Sequence, residues 1–307
     1  MRGIFLNQVG RPRSGWRLLI FIAVFVAVAI PFATVLRFLS GLVHLPEFSH
    51  ITLLAGALGA GYLCARYLEG LPFRSLGLTF HNGWLRDLLI GLVLGFASLL
   101  IAVAIASPGL SFSIGTAGFL PTAQSMTGLA VLLFIAALAE EAMFRGYVLQ
   151  SFSRAKLAWL GILLTSVPFG LAHLSNPNVV RGVTFANTAL AGIWLAAAYL
   201  RTRSLWLPLG IHWSWNWALG GICGIPISGM TLGSHPLITS ADKGPNWLTG
   251  GSYGIEGGVA CTISLLLITL FLWRTKLISA TPELKRLTSE ENPVTSEPVL
   301  SIRPADM

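Results

Sequence analysis

Two adjacent acids, Glu140 and Glu141, and the guanidinium of Arg145 interrupt an uncharged run, Gly128 to Ala139, that reads GLAVLLFIAALA. An ionised side chain near the centre of a bilayer costs roughly 2.5–3.5 kcal/mol on insertion scales, so such groups are candidate functional sites by default. Neighbouring residues of a helix point about 100° apart, and the two acids therefore cannot share one direction. Glu141 and Arg145 are four apart, in the favourable Glu-before-Arg order, and predict an internal ion pair on one face. Glu140 is left directed elsewhere. Further on, His173 closes Phe169-Gly170-Leu171-Ala172-His173, and His212 opens His212-Trp213-Ser214-Trp215-Asn216. Asn216 is four residues from His212 and so on its face.

A carboxylate and an imidazole can hold and activate a water by general-base catalysis. A second histidine and an amide can donate hydrogen bonds to a developing oxyanion. The set suits hydrolysis of a peptide or an ester. The same atoms of Glu140, His173 and His212 could instead hold zinc, and residue types do not separate the two versions. Other intramembrane chemistries fit less well. The chain has no His-Glu-x-x-His helix. Its aspartates, Asp87, Asp242 and Asp306, fall at span edges or in polar segments, and serines beside glycine, such as Ser228, lack a base in register. His44, His50, His81 and His235 fall in loops or near span ends and read as surface residues.

The elements that must position these groups are apolar helices. Of 307 residues, 54% are hydrophobic and 10% charged, with a mean hydropathy of +0.73, whereas soluble domains carry about 25% charged residues. A span needs about twenty apolar residues. Eight segments qualify, at 17–36, 51–68, 85–107, 127–150, 157–174, 180–200, 204–223 and 256–273, the fifth to seventh interrupted by Pro168, Asn187 and Pro208. The expected fold is an all-α polytopic membrane protein of about eight transmembrane helices around a polar catalytic cavity. Its parts are helices one to three (1–124), the site-bearing helices four to seven (125–223), an external Gly/Pro-rich loop (224–255), the last helix (256–275) and a disordered cytoplasmic tail (276–307). The first segment, Leu18 to Leu36, exceeds the apolar core of a secretion signal and reads as a retained span.

Of the twenty lysines and arginines, all but Arg37, Arg181 and Lys243 fall on one side of this arrangement. Basic loops face the cytoplasm. Both termini are thus expected there, in a multi-pass protein of the plasma (inner) membrane. The net charge of +8 is scattered, and no basic stripe exists to follow a phosphate backbone, so nucleic acid is not an expected partner. Cys64, Cys223 and Cys261 have no close spacing and predict neither a disulfide framework nor a cysteine-based zinc site. The tryptophans Trp206, Trp213, Trp215 and Trp217 read as an interfacial belt.

In order and in hydrophobic context, Glu140-Glu141-Ala142-Met143-Phe144-Arg145, Phe169–His173 and His212–Asn216 resemble the joint motifs of the CPBP family. These are the CAAX-processing proteases and bacteriocin-processing or self-immunity proteins, also called Abi. The motif-bearing core spans roughly 125–220, with looser likeness at Arg74–Leu78 and at the glycine-rich Gly254–Gly258. The resemblance implies an eight-helix intramembrane endopeptidase whose cavity opens to the cytoplasm, acting on a membrane-associated or lipidated peptide or protein within the lipid bilayer. It implies Glu140 and His173 as the water-activating pair and His212 with Asn216 as oxyanion stabilisers. The family carries both a metalloprotease and a metal-free, glutamate-type description, and the glutamate type is the expectation here; a zinc would fall to Glu140, His173 and His212. A non-catalytic scaffold or immunity protein is the alternative, although no motif residue is lost. A proton relay through Glu140 and His173 is a third reading, against which stands the lack of inverted repeats.

One expectation conflicts with the others. At about 1.5 Å of rise per residue, Glu140 lies roughly 15 Å in from Gln150, and His212 is similarly deep from Ser204, but His173 lies roughly 24 Å from Leu157. Either the fifth span starts late or it tilts into the cavity.

Overall fold

The computed structural model describes residues 2–7, 10–43 and 49–289. His44 and the tail beyond residue 289 lie outside them. Nine helices of eight residues or more follow one another: α1 Ser14–Val43, α2 Ser49–Glu69, α3 Trp84–Ala106, α4 Phe119–Arg154, α5 Ala158–Ala172, α6 Arg181–Thr202, α7 Trp206–Trp217, α8 Val259–Arg274 and α9 Pro282–Ser289. The fold is all-α and polytopic. Helices α1 to α6 are long and apolar enough to cross a membrane. The seventh and eighth expected segments are helical but short. Helix α7 has 12 residues, extended by a π-helical stretch over Ala218–Ile222, and α8 has 16. A count of eight spans therefore rests on these two.

Helix α7 is short because it is internal. Residues Trp206 to His212 are all buried, the pattern of a helix apolar on every side. Pro208 stands in its first turn, where a missing N–H removes no helical bond, so it starts the helix rather than breaking it. The close partner of α7 is α3, and glycine sets the approach. A Cβ on Gly91 would meet the Leu207 carbonyl oxygen at 2.4 Å, and one on Gly95 would meet that of Ile211 at 2.2 Å. Small residues four apart let two helix backbones approach closely. Gly95→Val is expected to push α7 outward, costing about 1–3 kcal/mol or more by overpacking. Gly128→Ala, where an added Cβ meets nothing within 4 Å, is the neutral control. Thermal unfolding of the purified pair checks this.

The helices alternate in direction, so their ends gather at two faces. One face collects the end of α2, the start of α3, the ends of α4 and α6 and the start of α7. It is tied by the Leu205 N–H to the Gly77 carbonyl at 3.0 Å, by Trp206 Nε1 to the Thr79 carbonyl at 2.8 Å, and by Gln150 to the Ser75 carbonyl. Gly77 has φ +87° and makes this turn. The face carries Arg13, Arg66, Arg74, Arg86, Lys156 and Arg203 and is called the basic end below. The opposite end carries Arg37, Arg181 and Lys243 and the segment from Cys223 to Gly258. There Leu110–Ile114 and Ile238–Asp242 pair as an antiparallel two-stranded ribbon, Phe112 opposite Ser240.

Three surface expectations fail at the basic end. Arg17 and Arg154 are not solvated loop charges: both are buried and converge on the buried carboxylate of Glu69, Arg17 Nη1 at 2.9 Å from Oε2. His81 is also buried, with Nε2 3.2 Å from Ser204 Oγ. The expected disordered tail is ordered in its first part. Arg201 donates to the Thr275 and Ile278 carbonyls, Ile278 and Leu284 are buried, and α9 lies beside Arg74, whose Nη1 is 3.1 Å from Glu283 Oε1. Two buried apolar side chains six residues apart, Ile278 and Leu284, dock a segment that reads as polar.

The tryptophans are a correction as well. Each indole N–H of the four donates inside the protein: Trp206 to Thr79, Trp213 to the Ala130 carbonyl at 2.9 Å, Trp217 to the Met126 carbonyl at 3.0 Å, and Trp215 to Glu256. They staple α7 to its neighbours. Cys64, Cys223 and Cys261 are free and buried.

Candidate active site

Glu140 and Glu141 end the regular part of α4, immediately before a π-helical stretch, Ala142–Gly146. Such stretches insert a residue into the helix and often accompany functional sites. Glu141 points inward. Its Oε1 accepts from Arg145 Nη1 at 3.1 Å, and both side chains are fully buried. Arg145 Nη2 donates to the Gly192 carbonyl at 3.1 Å, anchoring the pair to α6. His212 completes the chain: its Nδ1–H donates to the same Glu141 oxygen at 3.0 Å, and its Nε2 faces Glu140 Oε2 at 3.7 Å. A carboxylate on one ring nitrogen fixes which nitrogen is presented to the reaction.

Glu140 is directed differently, as the 100° step requires. Its side chain is 20% exposed, and Oε2 has no hydrogen-bond partner among the described residues. A buried carboxylate oxygen without a hydrogen bond is costly; this one lies against His212 Nε2, while the Glu140 side chain lines a cavity of about 260 Å³.

His173 caps the far end of α5. Its Nδ1 is 2.8 Å from the Phe169 carbonyl. A carbonyl can only accept, so Nδ1 carries the proton and Nε2 keeps its lone pair. Phe169 packs against the guanidinium of Arg145 at 4.7 Å, the ring of His173 at 4.7 Å and that of His212 at 6.1 Å. The phenylalanine of the second motif thus holds the members of all three motifs at fixed spacing. Glu140, His173, His212 and Asn216 all line the cavity. No hydrogen bond joins His173 to Glu140 among the described residues; the space between them is what they share.

The cavity has contributors that sequence reasoning missed. Glu256, expected at the start of the last helix, lines it and braces its rim. Oε2 accepts from the Ser228 N–H at 2.6 Å and Oγ at 2.9 Å, and Oε1 accepts from Trp215 Nε1 at 2.9 Å. Asn176 donates to the Ser228 carbonyl at 3.1 Å, and Asn187 donates to the carbonyls of Glu256 at 2.8 Å and Gly258 at 2.9 Å. Asn187 is therefore a clamp on the glycine turn rather than an interruption of α6. Tyr253 is buried beneath this rim, flanked by Ser228, Asn176 and Thr188, and burial pushes its phenol up to about 12. It remains a neutral donor at working pH. His50, expected on the surface, lines the cavity too. An acid between paired glycines and the last apolar segment was the signal for Glu256.

Glu256→Ala is expected to free the Ser228 and Trp215 donors together, at about 1–3 kcal/mol for buried donors left unmade. Tryptophan emission should shift to the red, and KM should rise more than kcat falls. An unchanged spectrum with lost kcat would place Glu256 in the chemistry instead.

Among the described residues, no three His, Cys, Asp or Glu side chains are grouped so as to hold a metal. With His212 Nδ1 held by Glu141, Nε2 is the nitrogen of that ring left for a ligand or a proton.

Helix α5 begins at Ala158, so a late start does not explain the depth of His173. Among the residues lining the cavity, Asn176, Ser228, Met230 and Glu256 stand at the end opposite the basic one, the end at which His173 closes α5.

Fold and site together define a helical membrane protein with an acid, two imidazoles and an amide gathered around one cavity between its helices. Residues 122–218 match the model of the Rce1-like family, described as type II CAAX prenyl endopeptidase Rce1-like. The matched segment is the one that carries the three motifs. An uncharacterized 24.3 kDa protein of Escherichia coli is 29% identical over 172 residues, which cover 54% of this chain and 75% of that protein.

Proposed function

We propose that the protein is an intramembrane endopeptidase of the glutamate type, with Glu140 as the general base. The observation that carries this reading is the Glu140 carboxylate, which lines the cavity, has no hydrogen bond to Oε2 among the described residues, and stands beside an imidazole whose other nitrogen is held by Glu141. Glu140, helped by the free Nε2 of His173, takes a proton from water. The hydroxide adds to the scissile carbonyl. Asn216 Nδ2–H and, in its imidazolium form, His212 Nε2–H donate to the resulting oxyanion. The proton held by Glu140 passes to the leaving amine as the C–N bond breaks, giving one carboxylate and one amine. No step needs a metal.

The apolar floor of the cavity, with Leu133, Phe169, Trp194, Leu195 and Leu265, suits an apolar side chain beside the scissile bond. The substrate on this reading is a membrane-associated or lipidated peptide. The molecule is an integral protein of the plasma (inner) membrane with both termini cytoplasmic.

The test is cleavage of fluorogenic peptides, lipidated and plain, by the purified protein in nanodiscs, with and without a zinc chelator. Cleavage that survives chelation is expected. Turnover abolished by chelator and restored by zinc would overturn the glutamate-type mechanism while leaving the protease. His173→Ala and His212→Ala should each abolish turnover, with no further loss when combined with Glu140→Ala, since residues acting as one unit do not multiply.

A further inference from the structure

We infer that the cavity receives its peptide from the extracytoplasmic side of the membrane; the inference rests on the proteolytic reading above. Three independent features lead to it. The first is the position of the mouth. His50 begins α2, Asn176 follows α5, and Ser228, Met230 and Glu256 belong to the segment joining α7 to α8. All lie at the end opposite the basic one.

The second is closure on the other side. Between Glu140 and the basic end, Glu141, Arg145, Leu149, Gln150, Tyr199 and Leu205 are each fully buried. They form a plug in which Arg145 is bonded to Glu141 and Gly192, and Gln150 to Ser75. Nothing the size of a peptide passes through side chains packed to this degree.

The third is charge. Arg13, Arg66, Arg74, Arg86, Lys156, Arg203, Lys276, Lys285 and Arg286 stand at the closed end, against Arg37, Arg181 and Lys243 at the open one. An excess of lysine and arginine in short loops marks the cytoplasmic side. The closed end is then cytoplasmic and the open end faces outward.

The consequence concerns substrate class. A prenylated C-terminus displayed on the cytoplasmic leaflet cannot reach Glu140 from this side. The polypeptide that can is one whose scissile bond lies at or beyond the outer leaflet, with an apolar side chain for the floor and backbone groups free to meet Asn176 and Ser228 at the rim. Exported peptides and the outer ends of membrane-anchored segments have this chemistry.

Accessibility labelling tests the inference without relying on turnover. Four single-cysteine additions to the full chain would be made: Lys243→Cys at the open end, Lys285→Cys at the closed end, and Met230→Cys and Thr188→Cys within the cavity. The native cysteines are buried, and the unsubstituted protein sets the background. In intact Escherichia coli spheroplasts, an impermeant maleimide is expected to label Lys243→Cys, Met230→Cys and Thr188→Cys, and to label Lys285→Cys only after permeabilisation. The reversed pattern would overturn the inference by inverting the protein in the membrane. Labelling of both cavity positions only after permeabilisation, or not at all, would overturn it by closing the mouth. Either result leaves the peptide-cleavage assay to stand or fall by itself.

Discussion

Glu140→Gln is expected to reduce peptide hydrolysis by about 10²–10⁴-fold, the range that a positioned general base contributes. The substitution keeps shape and volume and removes only the ability to accept a proton. Because Oε2 has no hydrogen-bond partner to lose among the described residues, the fold should be untouched, and KM should stay within the error of wild type. The measurement is kcat and KM on a cleaved peptide, with thermal unfolding as a control. Undiminished kcat in a folded Glu140→Gln protein would end the assignment. A change confined to KM would make Glu140 a binding residue.

Glu141→Ala should act on the other axis. It leaves Arg145 charged and fully buried, with the Gly192 carbonyl as its remaining hydrogen-bond acceptor among the described residues, and it releases His212 Nδ1. Breaking a buried pair by removing one partner costs about 3–5 kcal/mol, a large share of the 5–15 kcal/mol by which folded domains are usually stable. The expected result is a sharp loss of folded protein in membranes. Replacing both residues, Glu141→Ala with Arg145→Met, should recover part of it, because the stranded charge is gone. A double-mutant cycle on unfolding midpoints measures the coupling. Equal stability of Glu140→Ala and Glu141→Ala, with only the latter inactive, would exchange the roles given to the two acids.

The features most legible in the sequence were those for which burial is costly. Charges within an apolar run disclosed Glu140, Glu141 and Arg145, and helical spacing paired the last two, which meet at 3.1 Å. Positions of the helices also followed from apolar length, since each of the eight expected segments contains one. Less legible were groups whose burial depends on contacts distant in the chain. Glu69 gave no signal in the sequence because its partners, Arg17 and Arg154, are 52 and 85 residues away. Glu256 read as the first residue of the last helix, because its partners, Ser228 and Trp215, are 28 and 41 residues away. The tryptophans could not be distinguished from an interfacial belt until their acceptors were known. The rise count for His173 was informative, and its disagreement with the other motifs reflected a real asymmetry of the cavity.

Glu256 bears on how the molecule is made. The residues proposed to bind and activate water belong to α4, the end of α5 and α7, but the rim over them is held by an acid only three residues ahead of Val259, where α8 begins. In a chain synthesised from its N-terminus, Glu140, His173 and His212 are all in place before that acid emerges. Until then Ser228 and Trp215 lack their acceptor, and the peptide-binding edge has no fixed form. Maturation of the mouth is thus tied to completion of the last apolar helix, and a chain stalled short of it would hold the reactive groups without the means to seat a substrate over them.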